Sequence, residues 1–141
     1  MSKAWQNPDD QTLRELLRSS RTIAVVGCSP KPERPSHHIA EYLIHAGYRV
    51  IPVHPKAREI LGQKVYAKLE DIDIPLDIVN VFRRSEDTPP IAMDAGKTGA
   101  KALWLQQGIA HPDSARIAEE ANMLCIMDAC IAVMHRLLIG K

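Results

Sequence analysis

The stretch Ile23-Ala24-Val25-Val26-Gly27-Cys28-Ser29-Pro30-Lys31-Pro32-Glu33-Arg34-Pro35-Ser36 constrains the fold more than any other part of this chain. It opens as a short, β-branched apolar run, the kind that is buried on both faces of a parallel sheet. Gly27 ends the run, where the backbone needs freedom and close approach. A loop of small residues, prolines and cations follows, and then a helical pattern begins at His37. Ser36 stands in the position of that helix's N-cap. Backbone N–H groups at such a start, together with the helix dipole, favour an anion. Lys31 and Arg34 add full positive charges beside it. The plainer reading is a loop whose Pro and Ser only end a strand and cap a helix. The coincidence of two cations with a helix start favours a phosphate-binding loop.

Strand and helix patterns alternate along the rest of the chain. Residues 1–9 read as a loosely ordered N-terminal segment, and Asp9 or Asp10 caps a first helix over 11–18 with Leu13, Leu16 and Leu17 on one face. The first strand spans 22–26. A helix over 37–45 is closed by Gly47, a good C′ residue. The second strand covers 49–53, and Pro52, lacking a donor, belongs near a strand end or sheet margin. A looser part over 56–73 reads as one helical turn at 57–61 and a short extended piece at 64–66. The third strand spans 76–82. Pro89 and Pro90 fall in the first turn of a helix over 88–98, where a missing N–H is harmless. A strand over 102–105, a helix from Pro112 to about residue 122, a strand over 123–127 and a helix over 131–138 stopped by Gly140 complete the series. Such alternation implies right-handed crossovers and a parallel sheet covered on both faces. The fold class is therefore α/β, a Rossmann-like doubly wound sheet of about five parallel strands in one domain over 1–141. Ligands of such sheets sit outside the carboxyl ends of the strands.

Composition narrows the partners. With a formal net charge of +1, no global field draws in nucleic acid, so any anion site must be local. Two Trp, three Tyr and one Phe are too few for a base-stacking platform. The first residues lack the apolar core of a signal peptide, and no run approaches a membrane span. Three cysteines, Cys28, Cys125 and Cys130, form no CxxC pair, which argues against a disulfide framework or a zinc site. A reducing, cytoplasmic setting is the expectation. The histidines show no metal-ligand spacing, and no metal site is expected.

Four loops then carry the chemistry. The first, 27–36, is no dinucleotide fingerprint, because Cys28, Ser29 and Pro30 follow Gly27 where G-x-G-x-x-G needs glycines. In the second, His54-Pro55-Lys56-Ala57-Arg58 is cationic where a protein binding NAD places an acid for the ribose hydroxyls. That suits a ribose bearing an extra phosphate, as in coenzyme A or NADP; a solvated basic turn is the alternative. In the third, Arg83 can pair with a phosphate or stack on an adenine, and Glu86 and Asp87 favour the helix N-terminus. In the fourth, Gln106, Gln107 and Gly108 can line a small pocket, while His111 reads first as a helix-opening residue and second as a base. No catalytic set is evident. Cys28 reads as a small structural residue, with disulfide exchange with a thiol cofactor as the remoter alternative.

Val26 to Ser36, then Gly47-Tyr48-Arg49-Val50-Ile51-Pro52-Val53-His54-Pro55, Val79-Asn80-Val81-Phe82-Arg83, Trp104-Leu105-Gln106-Gln107-Gly108-Ile109 and the region from Cys130 to His135 resemble, in that order, the small stand-alone CoA-binding proteins. These are similar to the CoA-binding domain of succinyl-CoA synthetase alpha subunits. The resemblance implies a Rossmann fold and a bound coenzyme A. It would set Gly27, Ser29 and Ser36, with Cys28 and Pro35 in the same loop, at the pyrophosphate. Arg34 and Lys56, with Lys31, would serve the phosphates. Val53, His54 and Pro55 would form the second loop's side of the site, Val81, Phe82 and Arg83 would border the adenosine, and Gln106 and Ile109 would lie toward the pantetheine. The chain departs from the family pattern at Cys28 (usually small, as Ala), His54 (usually Asn), Ala129 (often Arg) and Met134 (often Glu). The function implied is non-catalytic binding of CoA or acyl-CoA. The alternatives are an NADP-linked oxidoreductase or a CoA-ligase subunit needing a partner chain. The apolar last helix leaves room for a homodimer or another protein partner.

Overall fold

A computed structural model describes residues 5–140. Five helices and seven strands follow in the order α1 (Asp10–Ser19), β1 (Thr22–Val26), α2 (Pro35–His45), β2 (Arg49–Val53), β3 (Glu59–Ile60), β4 (Gln63–Lys64), β5 (Ile78–Val81), α3 (Thr88–Lys97), β6 (Ala102–Leu105), α4 (Pro112–Glu120), β7 (Leu124–Ile126) and α5 (Ile131–Leu138). Five strands form one parallel sheet, ordered β2-β1-β5-β6-β7, as the alternation requires. The chain leaves β1 outward to β2, then returns to β5 on β1's other side. The order therefore reverses between β1 and β5, and the crevice at their carboxyl ends is the switch point where such sheets bind ligands.

Both faces of the sheet are covered. Ala24, Val26, Val79, Val81, Leu103 and Leu105 pack under Ala92 and Ala95 of α3 and Ala115 and Ala118 of α4. Ile23, Val25, Val50, Ile78, Trp104 and Ile126 point the other way, against Leu13, Leu16 and Leu17 of α1, Ala40 and Leu43 of α2 and Ile131 of α5. Small alanines on α3 and α4 let those helices approach the sheet closely, while large side chains fill the opposite layer. Asp77 ties the start of β1 to that of β5. Its carboxylate accepts from the N–H groups of Arg21 (2.8 Å) and Thr22 (3.0 Å). Burial opposes its charge, but these two donors and the Lys101 ammonium outweigh that and hold its pKa below 3.8.

Three local expectations change. Ser36 is not the N-cap of α2. Pro35 takes the first helical position, which suits its fixed φ and missing N–H, so the cap falls on Arg34 and Ser36 sits inside the first turn. Residues 57–61 form no helical turn. Leu61 and Gly62 both have positive φ (54° and 74°), the backbone of a tight hairpin turn, and they join β3 to β4 antiparallel. The last part of that excursion is extended: Tyr66 bridges to Val53 and covers part of the free edge of β2, the margin position expected for Pro52. The third and last core strands are also shorter than the apolar runs that announce them. Of the 1–9 segment, residues 1–4 lie outside the described residues. Beyond them the Asn7 side chain pairs with both the N–H (2.8 Å) and the carbonyl (2.9 Å) of Met127, and Asp9 caps α1 through the Thr12 N–H.

Candidate functional site at the carboxyl edge of the sheet

Gly27 is where the carboxyl ends of three strands meet. Its N–H donates to the Val53 carbonyl (3.0 Å) beyond β2, and the Phe82 N–H donates to the Val26 carbonyl (2.8 Å) from β5. Its φ is +81°, and a Cβ there would lie 2.5 Å from the Phe82 carbonyl oxygen. Two hollows flank it. One, of about 200 Å³, is bounded by Val26, Gly27, Val53, His54, Pro55, residues 67–69, Arg83, Ile91 and Asp94. The other, of about 220 Å³, is bounded by Gly27, Ser29, Arg34, Pro35, Ser36 and Phe82. Together they reach the range of ~300–1,000 Å³ usual for small-molecule sites.

The loop between β1 and α2 is held in shape by its own side chains. The Ser36 hydroxyl accepts from the Ser29 N–H (2.9 Å), and the Ser29 hydroxyl accepts from the Lys31 N–H (3.1 Å). His37 donates from Nδ1 to the Ser29 carbonyl (3.0 Å); a carbonyl only accepts, so this bond fixes the proton on Nδ1. Lys31, Arg34 and Pro35 are exposed on the rim. Cys28 lies behind the loop, fully buried, and burial pushes its thiol up to about 11. Its full burial gives it the surroundings of a packing residue.

His54 shapes the second loop. Its Nδ1 accepts from the N–H groups of Lys56 (3.1 Å) and Ala57 (2.9 Å). This is the turn-closing bond that an Asn side chain would make with its oxygen, which accounts for His at a position where the resembling family has Asn. The two donors require an unprotonated Nδ1. Lys56 is exposed, and its side chain bounds neither hollow. On the third loop Arg83 lines the first hollow and lies 3.7 Å from Asp87, whereas Arg84 is engaged by Asp87 and Glu86 on the outer surface.

The fourth loop differs from a pocket wall. Gln106 is buried, and its Oε1 accepts from the Asn80 side chain (3.0 Å) and from the Ile131 N–H (3.0 Å) at the start of α5. Ile109 packs into the core face under α3 and α4, and Val81 is wholly buried in β5. These three stand beneath or beside the hollows rather than in them. His111 opens α4 as its N-cap, accepting from the Asp113 N–H (3.1 Å). The main-chain carbonyl of Ala129 accepts from the Trp104 indole (2.9 Å), and the side chains of Ala129 and Met134, the two departures near the end, pack half-buried against the core. Residues 67–69, Ile91 and Asp94 line the first hollow and were not singled out from the sequence; they come from the irregular segment and from one face of α3, which no local motif marks.

A larger concavity of about 800 Å³ lies at the opposite end of the sheet, bounded by residues 17–22, 46–49, His135 and Ile139. It faces the amino ends of β1 and β2, away from the switch point. Among the described residues no group of His, Cys, Asp and Glu could hold a metal ion, and no helix is long and apolar enough to cross a membrane.

Comparison with known proteins gives this edge its context. The Bacillus subtilis (strain 168) protein YneT is 44% identical over 130 residues, covering 92% of this chain and 96% of its own. A solved structure from Pyrococcus horikoshii OT3 superposes with a TM-score of 0.92 at 34% identity, covering 99% of this chain and all of that one. The alpha subunit of ADP-forming acetate–CoA ligase I from Pyrococcus furiosus is 30% identical over 95 residues, 63% of this chain but 21% of that subunit. The model of the CoA binding domain matches residues 21–136, and the chain belongs to that family.

Proposed function

We propose that this chain binds coenzyme A or an acyl-CoA at the carboxyl edge of its sheet, as a binding module without chemistry of its own. The observation that carries this is Gly27: a residue without a side chain, at the switch point, between two hollows whose walls include Arg34, Arg83 and His54. Its missing side chain lets β1 pass close to the Phe82 carbonyl, and its backbone borders both hollows, where a pyrophosphate would lie. The loop from Ser29 to Ser36 is ordered before any ligand arrives, which lowers the entropic cost of binding. Arg34, with Lys31 at the rim, supplies charge-assisted bonds to phosphate, and Lys56 extends the same positive edge. Phe82 and Arg83 border the adenosine side. Gln106, buried beneath the hollows, supports the pantetheine side indirectly by holding the start of α5.

Thermal unfolding with CoA, dephospho-CoA, NAD and NADP at equal concentration tests this. A ligand that binds only the folded state raises the midpoint. CoA should give the largest shift and dephospho-CoA a smaller one. A shift with NADP alone would instead support redox chemistry and overturn the reading. The likeness to a ligase alpha subunit supports a second arrangement, in which this module serves a separate ligase chain; a stable complex with an ATP-using partner would establish it.

A further inference from the structure

The concavity at the amino ends of β1 and β2 plays no part in the CoA reading, yet it gathers three exposed arginines, Arg18, Arg21 and Arg49. The Arg49 N–H donates to the Arg21 carbonyl (2.7 Å), so these two side chains spring from adjoining strand starts. Among the described residues no ion pair engages any of the three, whereas Arg83, Arg84 and Arg116 are all paired. The neutral donors beside them already serve the chain's own carbonyls. The Tyr48 hydroxyl donates to Leu17 (2.6 Å) and the Ser20 hydroxyl to Leu16 (2.6 Å). What remains free in this wall is cationic. The end of α1 accounts for a cation at Arg18, but Arg21 and Arg49 stand at strand starts, where no helix end calls for one.

A second concavity, of about 440 Å³, continues the first. Both are bounded by Ala46, His135 and Ile139, and the far end of the second carries His45 and Arg136. Arg136 lies 5.3 Å from the centre of the Tyr42 ring, which sets where its guanidinium stands. No Asp or Glu lines either concavity, and Asp77 nearby is already engaged by the Arg21 and Thr22 N–H groups and by Lys101. Together the two exceed the ~300–1,000 Å³ usual for small-molecule sites. Their cations stand at both ends instead of converging on one point. We propose that this groove docks an extended acidic segment of a partner protein. Its carboxylates meet Arg18, Arg21 and Arg49 at one end and Arg136 at the other, and an apolar side chain lies between them against Ile139. Guanidinium forks match carboxylates in geometry as well as charge, and a compact anion would reach only one end.

The test is an NMR titration of the full chain, at low salt, with a short peptide of glutamates spaced by leucines, its glutamine counterpart, and inorganic triphosphate. The glutamate peptide should shift the amides of Arg18 to Thr22, Ala46 to Arg49 and His135 to Gly140, and bind about tenfold or more tighter than the glutamine peptide. An Arg21→Ala, Arg49→Ala variant should lose about fivefold or more of that affinity. Both side chains are exposed, and melting of the variant checks the fold. Arg116→Ala, on the other face of the sheet, should change nothing. Binding should also weaken as salt rises. No shift with the glutamate peptide, equal binding of the glutamine peptide, or affinity that survives the double substitution would overturn the proposal. So would triphosphate binding the groove more tightly than the glutamate peptide, which would make it a site for small anions. None of these outcomes bears on CoA at the carboxyl edge.

Discussion

At Gly27 two constraints coincide. The backbone is left-handed, at φ +81°, and the space a side chain would fill is occupied by the Phe82 carbonyl. Either alone disfavours a side chain; together they fix the close passage of the joint between β1 and its loop past Phe82. Gly27→Ala should lose about 1–3 kcal/mol from backbone strain, with the clash adding to that, and should abolish CoA binding. Denaturant unfolding and titration check both. Unchanged stability would show that the loop relaxes around the new methyl. Gly27 was legible from sequence because it ends a β-branched run. Cys28 was legible as a packing residue, and the structure buries it fully. The hydrogen bond of His37 to Ser29, and the turn-closing role of His54, were not legible, because each depends on a ring orientation that only the folded loop defines.

At the scale of elements, α2 shows how a cap can shift without moving the helix. Both Pro35 and Ser36 favour a helix start, and proline prevails because its φ is already set. Ser36 is thereby freed from capping its own helix to hold the Ser29 N–H across the loop. At the far end the helix closes as the sequence signals. The Gly47 N–H donates to the Ile44 carbonyl and the Tyr48 N–H to that of Leu43, the paired bonds of a glycine-ended helix. Ser36→Ala should cost about 0.5–1.5 kcal/mol, the net worth of one hydrogen bond, and weaken CoA binding because the loop must then be ordered by the ligand. Stability and affinity both at wild-type level would remove Ser36 from the site. Long periodic segments and capped helices were readable from the chain. The hairpin of β3 and β4 was not: its turn requires Leu61 at positive φ, an uncommon choice that no turn rule anticipates.

The molecule as a whole is three layers in which the sheet's two faces divide the work of stability and its carboxyl edge carries the candidate site. Burial in those layers raises three ionisable groups: Cys28 to about 11, Cys125 to about 12 and Tyr48 to about 12. Desolvation leads in each, with a smaller contribution from Glu119 to Cys125 and from Tyr42 to Tyr48. In the unfolded chain the thiols ionise near 9.0 and the phenol near 10.0. Above about pH 9 the unfolded state therefore releases protons that the folded state keeps, and stability should fall from there through pH 11–12. Denaturant titrations at neutral pH and at about pH 10.5 check this, and the fall should be smaller in a Cys28→Ala, Cys125→Ala variant; a flat profile would contradict the burial argument. Sequence patterning located the carboxyl edge that carries the candidate site, since alternation fixes which loops share it. It could not reveal that Gln106 turns inward to hold the start of α5, because that requires knowing which strand lies beside which helix.

The central claim is that CoA occupies the carboxyl edge and not the larger concavity at the other end. Backbone amide shifts in a two-dimensional NMR titration with CoA decide between them. The account predicts changes concentrated at Gly27 to Ser36, His54 to Lys56 and Phe82 to Arg83. Changes centred instead on Ser19 to Thr22, Ala46 to Arg49 and His135 would contradict it.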